Sequence, residues 1–223
     1  MDEQRTSPAP LPEALVELYG LAPLPREGGR FRQTWAGPPR PDGRPEGTAI
    51  VMLLTAEPGD FSALHRLPTD EIWHFYAGDP LTLYLLTEDD GPPGADGAPP
   101  DDGPPGAGGP PPSDSAPGAG GVPGVDEAPG AADAPGASTR PGCGGSARTV
   151  VLGPDVLGGQ QVQFTVPAGT WMAAQVVDGG AWTLFGCTMA PGFTYQDYEH
   201  GDAAQLAACF PEEAARIAAL SRP

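Results

Sequence analysis

The stretch Gly59–Gly78, GDFSALHRLPTDEIWHFYAG, decides the fold. It carries two short runs, Phe61 to Leu67 and Glu71 to Tyr76, each with the apolar, aromatic and β-branched content of a strand. Gly59, Pro68 and Gly78 punctuate them as turns. Side chains alternate across a strand, so Glu71, Trp73 and Phe75 share one face while Ile72, His74 and Tyr76 share the other. If Glu71 points inward, His74 points outward.

The same reading extends in both directions. Upstream, Pro12 to Tyr19 is expected as a short helix, with Leu11, Leu15 and Leu18 at i/i+3/i+4 spacing and Gly20 as its stop. Arg30 to Trp35 alternates like a strand after a Gly28-Gly29 turn, and Thr48 to Thr55 (TAIVMLLT) reads as a buried strand. Downstream, strands are expected at Leu81–Thr87, Thr149–Leu152, Gln161–Val166, Trp171–Val176 and Ala181–Met189. Helix resumes after Asp202, with Leu206, Phe210, Ile217 and Leu220 as its apolar stripe. Many short strands with helices only at the ends argue an all-β sandwich or barrel.

Residues 88–147 interrupt this pattern. About half of them are Gly or Pro and large apolar side chains are almost absent, so no core can form there to offset chain entropy. The expectation is a disordered N-terminus over residues 1–10 and a single domain over 11–223, interrupted by a disordered acidic insertion at 88–147. The insertion would replace a hairpin turn at the barrel rim, at little extra cost in loop closure.

The chain has 223 residues and a formal net charge of −18, with every basic residue an Arg. Such a balance argues against nucleic-acid binding, which rests on basic residues neutralising phosphates. Cys143, Cys187 and Cys209 show no metal-type spacing, and the first residues lack an apolar signal region, so a cytoplasmic protein is expected. No run reaches membrane-spanning length.

Two segments then carry a resemblance. Gly59, His65, Leu67, Glu71 and Gly78 resemble the first cupin motif, Gly-x5-His-x-His-x3-Glu-x6-Gly, and PAGTWM, with Pro167, Gly169 and Met172, resembles the second, Pro-x-Gly-x2-His. The segments LPREGGRFRQTW, FSALHRLPTDEIWHF, VPAGTW and LFGCTMAPGFTYQDYE look like the fifth cupin family, a domain of unknown function. The resemblance covers about Pro12 to the C-terminus outside the insertion. It implies a double-stranded β-helix, the jelly-roll barrel, with short N- and C-terminal helices, as a homodimer that binds a small molecule.

The departures bear on chemistry. Metal cupins supply three His and one Glu; here His65 and Glu71 are present, Leu67 stands at the second His position and Met172 at the last. Two protein ligands seldom hold a metal tightly and a thioether suits hard cations poorly. No cofactor is therefore expected, and a divalent metal is disfavoured. His65 and Glu71 are the candidate catalytic pair, a carboxylate orienting an imidazole that transfers protons near neutral pH. Metal-free sugar-nucleotide epimerases of the superfamily use such chemistry, which makes an isomerase or epimerase the sharpest reading. Trp73, Arg32 and Met172 are the candidate ligand-binding residues. Arg30 is expected as a surface residue or a partner of Glu27, His74 as a packing residue, Cys187 as an inert core thiol and His200 as exposed. The alternatives are a metal-dependent oxygenase or isomerase that completes its site with His74, and a non-enzymatic dimer with a relic pocket. Deletion of residues 90 to 146 should leave the melting temperature almost unchanged; a large drop in a thermal melt would show that the segment packs.

Overall fold

The computed structural model describes residues 11–88 and 144–222, which belong to one compact unit. The expected disordered N-terminus and nearly all of the expected insertion lie outside the described residues. The insertion's ends do not: β6 (Leu81–Glu88) and β7 (Gly145–Leu152) are antiparallel neighbours from Leu81↔Leu152 to Glu88↔Gly145. The strand pair thus reaches a few residues into the stretch assigned to the insertion, because backbone pairing does not require large side chains. A deletion that leaves both strands whole has to stop before Gly145.

Eleven strands make two antiparallel sheets among the described residues. One runs β1 (Ala22–Pro23), β2 (Arg30–Ala36), β3 (Thr48–Thr55), β10 (Trp182–Met189), β5 (Glu71–Gly78), β8 (Gln163–Val166). The other runs β11 (Glu199–His200), β4 (Ser62–Arg66), β9 (Trp171–Val176), β6, β7. The order mixes distant parts of the chain in both sheets, and the two inner faces share one apolar core: the all-β fold expected from the strand pattern, in the jelly-roll form that the resemblance implied. Two-residue strands β1 and β11 are too short to leave a periodic signal.

The core follows from alternation. Met52 and Leu54 from β3, Trp73 from β5, Leu81, Leu83 and Leu85 from β6, Met172 from β9 and Phe185 and Cys187 from β10 pack between the sheets. The register of β10 with β5 slips between Leu184 and Phe185. Beyond the slip, Phe185, Cys187 and Met189 lie opposite Phe75, Trp73 and Glu71, so the interior residues of both strands face the same way.

Helices cover the outer faces. α1 (Leu11–Tyr19) sets Leu15 and Val16 against Leu21, Leu53 and Leu184. Leu11 and Leu18, expected on the same stripe, are exposed, since the helix touches the sheet through one turn only. α2 (Ala203–Cys209) begins at Asp202, whose side chain accepts from the Gln205 amide. After a 3-10 turn at Pro211–Glu213 comes α3 (Ala214–Ala219). Leu206, Phe210, Ile217 and Leu220 bury the outer sides of Leu64, Tyr84, Leu86 and Trp171. The Tyr84 hydroxyl donates to Glu213 at 2.9 Å and Arg216 lies over its ring. Ile217→Ala should cost roughly 2–5 kcal/mol, the range for emptying a buried aliphatic site, read as a lower urea midpoint at an unchanged slope.

Candidate functional site

His65 lies on β4 and Glu71 opens β5, on opposite sheets, and both face the interior. His65 is opposite Met172 across the β4–β9 ladder, a core residue, so its ring shares that inward face. His65 is 2 % exposed and Glu71 7 %. The linker LPTD between them is held down at both ends: the Leu67 carbonyl accepts from the Gly169 amide, and the Asp70 carboxylate accepts from the Ala168 amide. The resemblance thus matched two turns that are bonded to each other, 59–78 and 167–172.

The imidazole is fixed by a backbone contact. Nδ1 of His65 is 2.7 Å from the Ala63 carbonyl oxygen. A carbonyl only accepts, so Nδ1 carries the proton and the neutral ring keeps its acceptor lone pair on Nε2. The Ala63 amide donates in turn to the Glu27 carbonyl. Tyr198 stacks on the His65 ring with centroids 5.4 Å apart.

The carboxyl group of Glu71 has its own supports. Trp73 Nε1–H donates to Oε2 at 2.9 Å, and the Cys187 thiol also hydrogen-bonds the group. Burial pushes the Glu71 pKa up to about 7. His65 opposes that rise by its charge, Glu27 adds to it, and the Trp73 and Cys187 bonds oppose it. The same contacts hold Cys187 as a neutral thiol, its pKa raised first by burial and then by the charge of Glu71. Proton exchange between a carboxyl group near neutrality and an imidazole with a free Nε2 is what this arrangement can do chemically.

The sequence-based candidates divide. His65 and Glu71 are both buried, on strands of opposite sheets. Trp73 is 1 % exposed, its indole N–H is taken by Glu71 and its ring stacks on Phe185 at 5.1 Å; it supports the carboxyl group and fills the barrel. Met172 is beside His65 but packed into the core. Arg32 is elsewhere: it is exposed on the outer face of β2 and its guanidinium donates to the Tyr19 carbonyl at the end of α1. Alternation sends Phe31 inward and therefore Arg32 outward. Arg30 pairs with Asp60 at 3.6 Å, not with Glu27. His74 is on the outer face, against Thr188 Oγ1, with its pKa lowered by burial. His200 is half-buried rather than exposed: Nδ1 meets the Tyr198 hydroxyl and Nε2 the Arg222 carbonyl.

Glu27, Ser62 and Tyr198 carry no sequence signal for this site, and Cys187, expected as a core thiol, is buried as expected and lies beside Glu71. Glu27 Oε1 accepts from Ser62 Oγ at 2.8 Å. The sequence marks it only as a carboxylate beside the Gly28-Gly29 turn and a possible partner of Arg30. Tyr198 reaches His65 from a loop more than a hundred residues later, and no spacing rule connects them.

A divalent metal is what many cupins would place here. The donors do not fit one. Leu67 and Met172, at the ligand positions of the motif, are built into the apolar core, and no group of three or more His, Cys, Asp or Glu that could hold an ion occurs among the described residues.

A family profile described as "Cupin superfamily (DUF985)" matches residues 13–201. The chain belongs to this cupin family. Two solved structures support the fold of this cupin. A Shewanella oneidensis protein is 25% identical, with a TM-score of 0.63 over 95% of this chain and 97% of that one. A hypothetical protein from Leishmania major is 27% identical, with a TM-score of 0.63 over 95% and 98%. No curated protein matches the chain. No helix among the described residues of this cupin is long and apolar enough to cross a membrane.

The pKa of Glu71 has a stability consequence. It rises from 4.5 to about 7 on folding, so between those values the native state binds more protons than the unfolded one. Stability is therefore fullest below about pH 4.5 as far as this group is concerned, and falls as pH rises to about 7, by on the order of 3 kcal/mol. Glu71→Gln should flatten that part of the stability–pH curve and stand above wild type at pH 8 in chemical denaturation.

Proposed function

We propose that this cupin binds a small polar molecule and transfers a proton on it through His65 and Glu71, without a protein-held metal, as an isomerase or epimerase of a sugar or sugar-nucleotide-like compound. The observation that supports this reading is the pairing of a histidine held as the Nδ1–H tautomer by the Ala63 carbonyl with a buried carboxyl group whose pKa is about 7. The imidazole offers a proton acceptor at Nε2 and the Glu71 carboxyl group titrates near neutrality, so one group can remove a proton while the other returns it.

In such a step His65 Nε2 takes a proton from a carbon next to a carbonyl. The C–H electron pair moves toward the carbonyl oxygen, giving an enolate. A proton then returns to the carbon, from Glu71 or from the same imidazole. The carboxyl group does not need a metal beside it to remain inside the barrel, because Trp73 and Cys187 donate to it and its own proton neutralises it for part of the time. Binding of the ligand requires Tyr198 or the Glu27 turn to yield, since both acid–base groups are covered.

A homodimer in the cytoplasm belongs to the same proposal. Trp35 and Tyr76, large and exposed on the sheet formed by β2 and β5, are suited to a contact with a second copy.

The test is exchange of solvent deuterium. Candidate keto-sugar nucleotides, keto-sugars and small keto-acids incubated with the protein in D2O should acquire deuterium at one carbon, seen by proton NMR. His65→Ala and Glu71→Gln should each slow the exchange about 10²–10⁴-fold, the usual weight of a general acid or base. Elemental analysis of protein purified without chelator should find substoichiometric metal. Stoichiometric metal, with exchange abolished by chelation, would move the protein to the metal-dependent class.

A further inference from the structure

Arg26 is the one residue other than glycine with a positive φ, +67°, among the described residues. It sits at the centre of a Pro25–Arg26–Glu27 turn in which the Glu27 amide donates to the Pro25 carbonyl at 2.8 Å. An i→i+2 bond around a positive φ is the rare, strained kind of γ-turn. Glycine would adopt it without a Cβ clash, and two glycines follow immediately in the chain. An arginine at this position means that the side chain outweighs the backbone strain, a pattern that concentrates at ligand-handling sites.

The side chain has not been committed to holding the fold. Arg26 is exposed, and among the described residues neither a carboxylate nor a carbonyl accepts from its guanidinium. The guanidinium lies over the ring of Tyr198, 5.5 Å from the centroid. Tyr198 is the ring that stacks on His65. The turn itself is tied to the acid–base pair: the Glu27 carbonyl accepts from the Ala63 amide, and the Ala63 carbonyl accepts from His65. The neighbouring carboxylate of Glu27 is engaged by Ser62. Arg222, whose charge also reaches Tyr198, brings a second guanidinium to this side; two of its bonds go to the Gly59 and Phe61 carbonyls, while its buried Nε has no partner.

We infer that Arg26 recognises an anionic oxygen group, phosphate or carboxylate, on the molecule that reaches His65. The inference rests on the reading of His65 and Glu71 as the ligand-handling pair and names what that ligand must carry. A guanidinium presents its N–H donors as a planar fork that matches either anion. Held over Tyr198, it would grip the charged end of a ligand while the uncharged end passes toward His65. The turn fixes the position of the Arg26 backbone, and the Tyr198 ring is the surface over which its guanidinium lies.

The experiment compares wild type, Arg26→Gly and Arg26→Lys. Inorganic phosphate, malonate and neutral glucose are titrated at low ionic strength, with calorimetry and the His65 ring proton resonances as readouts, and each protein is also melted. Phosphate or malonate should bind wild type saturably and shift the His65 signals, and glucose should not. Arg26→Gly should weaken that binding roughly ten- to hundredfold, the weight of charge-assisted hydrogen bonds, while its melting temperature stays level or rises as the turn is relieved. Arg26→Lys should keep the charge, lose the fork and fall between. The anion that binds more tightly identifies the group recognised. No saturable binding of either anion by wild type, equal affinity in Arg26→Gly, or a binding loss that merely follows a lower melting temperature would each overturn the inference. Deuterium exchange separates it from the reading beneath it. Exchange that survives His65→Ala, with anion binding still lost in Arg26→Gly, removes the acid–base pair and leaves the anion site. Exchange lost in His65→Ala, with anion binding indifferent to Arg26→Gly, removes only the role of Arg26.

Discussion

Glu71 keeps a carboxyl group inside the apolar interior of a β-barrel. An ionised carboxylate there is costly unless it is hydrogen-bonded or paired, and the surroundings answer that cost in several ways. Trp73 brings its indole N–H from the same strand, two residues on, and Cys187 brings its thiol from the next strand. His65 approaches from the opposite sheet. The group still titrates near neutrality, so the interior is never fully reconciled to its charge. A carboxyl group tolerated on these terms is more easily explained by a use than by packing, because an apolar side chain of similar size would fill the same space at lower cost.

The jelly roll supplies what that constraint requires. His65 and Glu71 stand on strands of different sheets, and both positions are buried because both sheets turn them inward. Their backbone environment is then locked by links that run along the chain's own turns. Ala63 is the middle of one such series, donating to Glu27 and accepting from His65. Helices α2 and α3 play no part in the site, but they seal the back of the β4–β9–β6 surface, on whose inner side His65 sits.

Much of this was legible in the sequence. The strand runs and their turns announced an all-β fold, and each expected strand except β7, which begins earlier at Gly145, lies within a residue or two of where the pattern put it. The alternation of Glu71, Trp73 and Phe75 against Ile72, His74 and Tyr76 also placed His74 on the outer face correctly. These are local properties, set by residue type and a period of two. Arg32 escaped the same logic although it was available: Phe31 next to it is the inward residue, so the guanidinium had to point toward α1.

Residue types at fixed spacing determined the strands, the two motif turns and the presence of His65 and Glu71 without their usual metal-binding companions, since those depend only on neighbours in the chain. Tertiary structure alone decided which nitrogen of His65 bears the proton, how far burial raises the Glu71 pKa, and that Glu27, Cys187 and Tyr198 join the pair. The physical reason is distance through the fold. Solvation and hydrogen bonding act over a few ångströms in space, and the residues that supply them here are separated along the chain by up to 171 positions, from Glu27 to Tyr198.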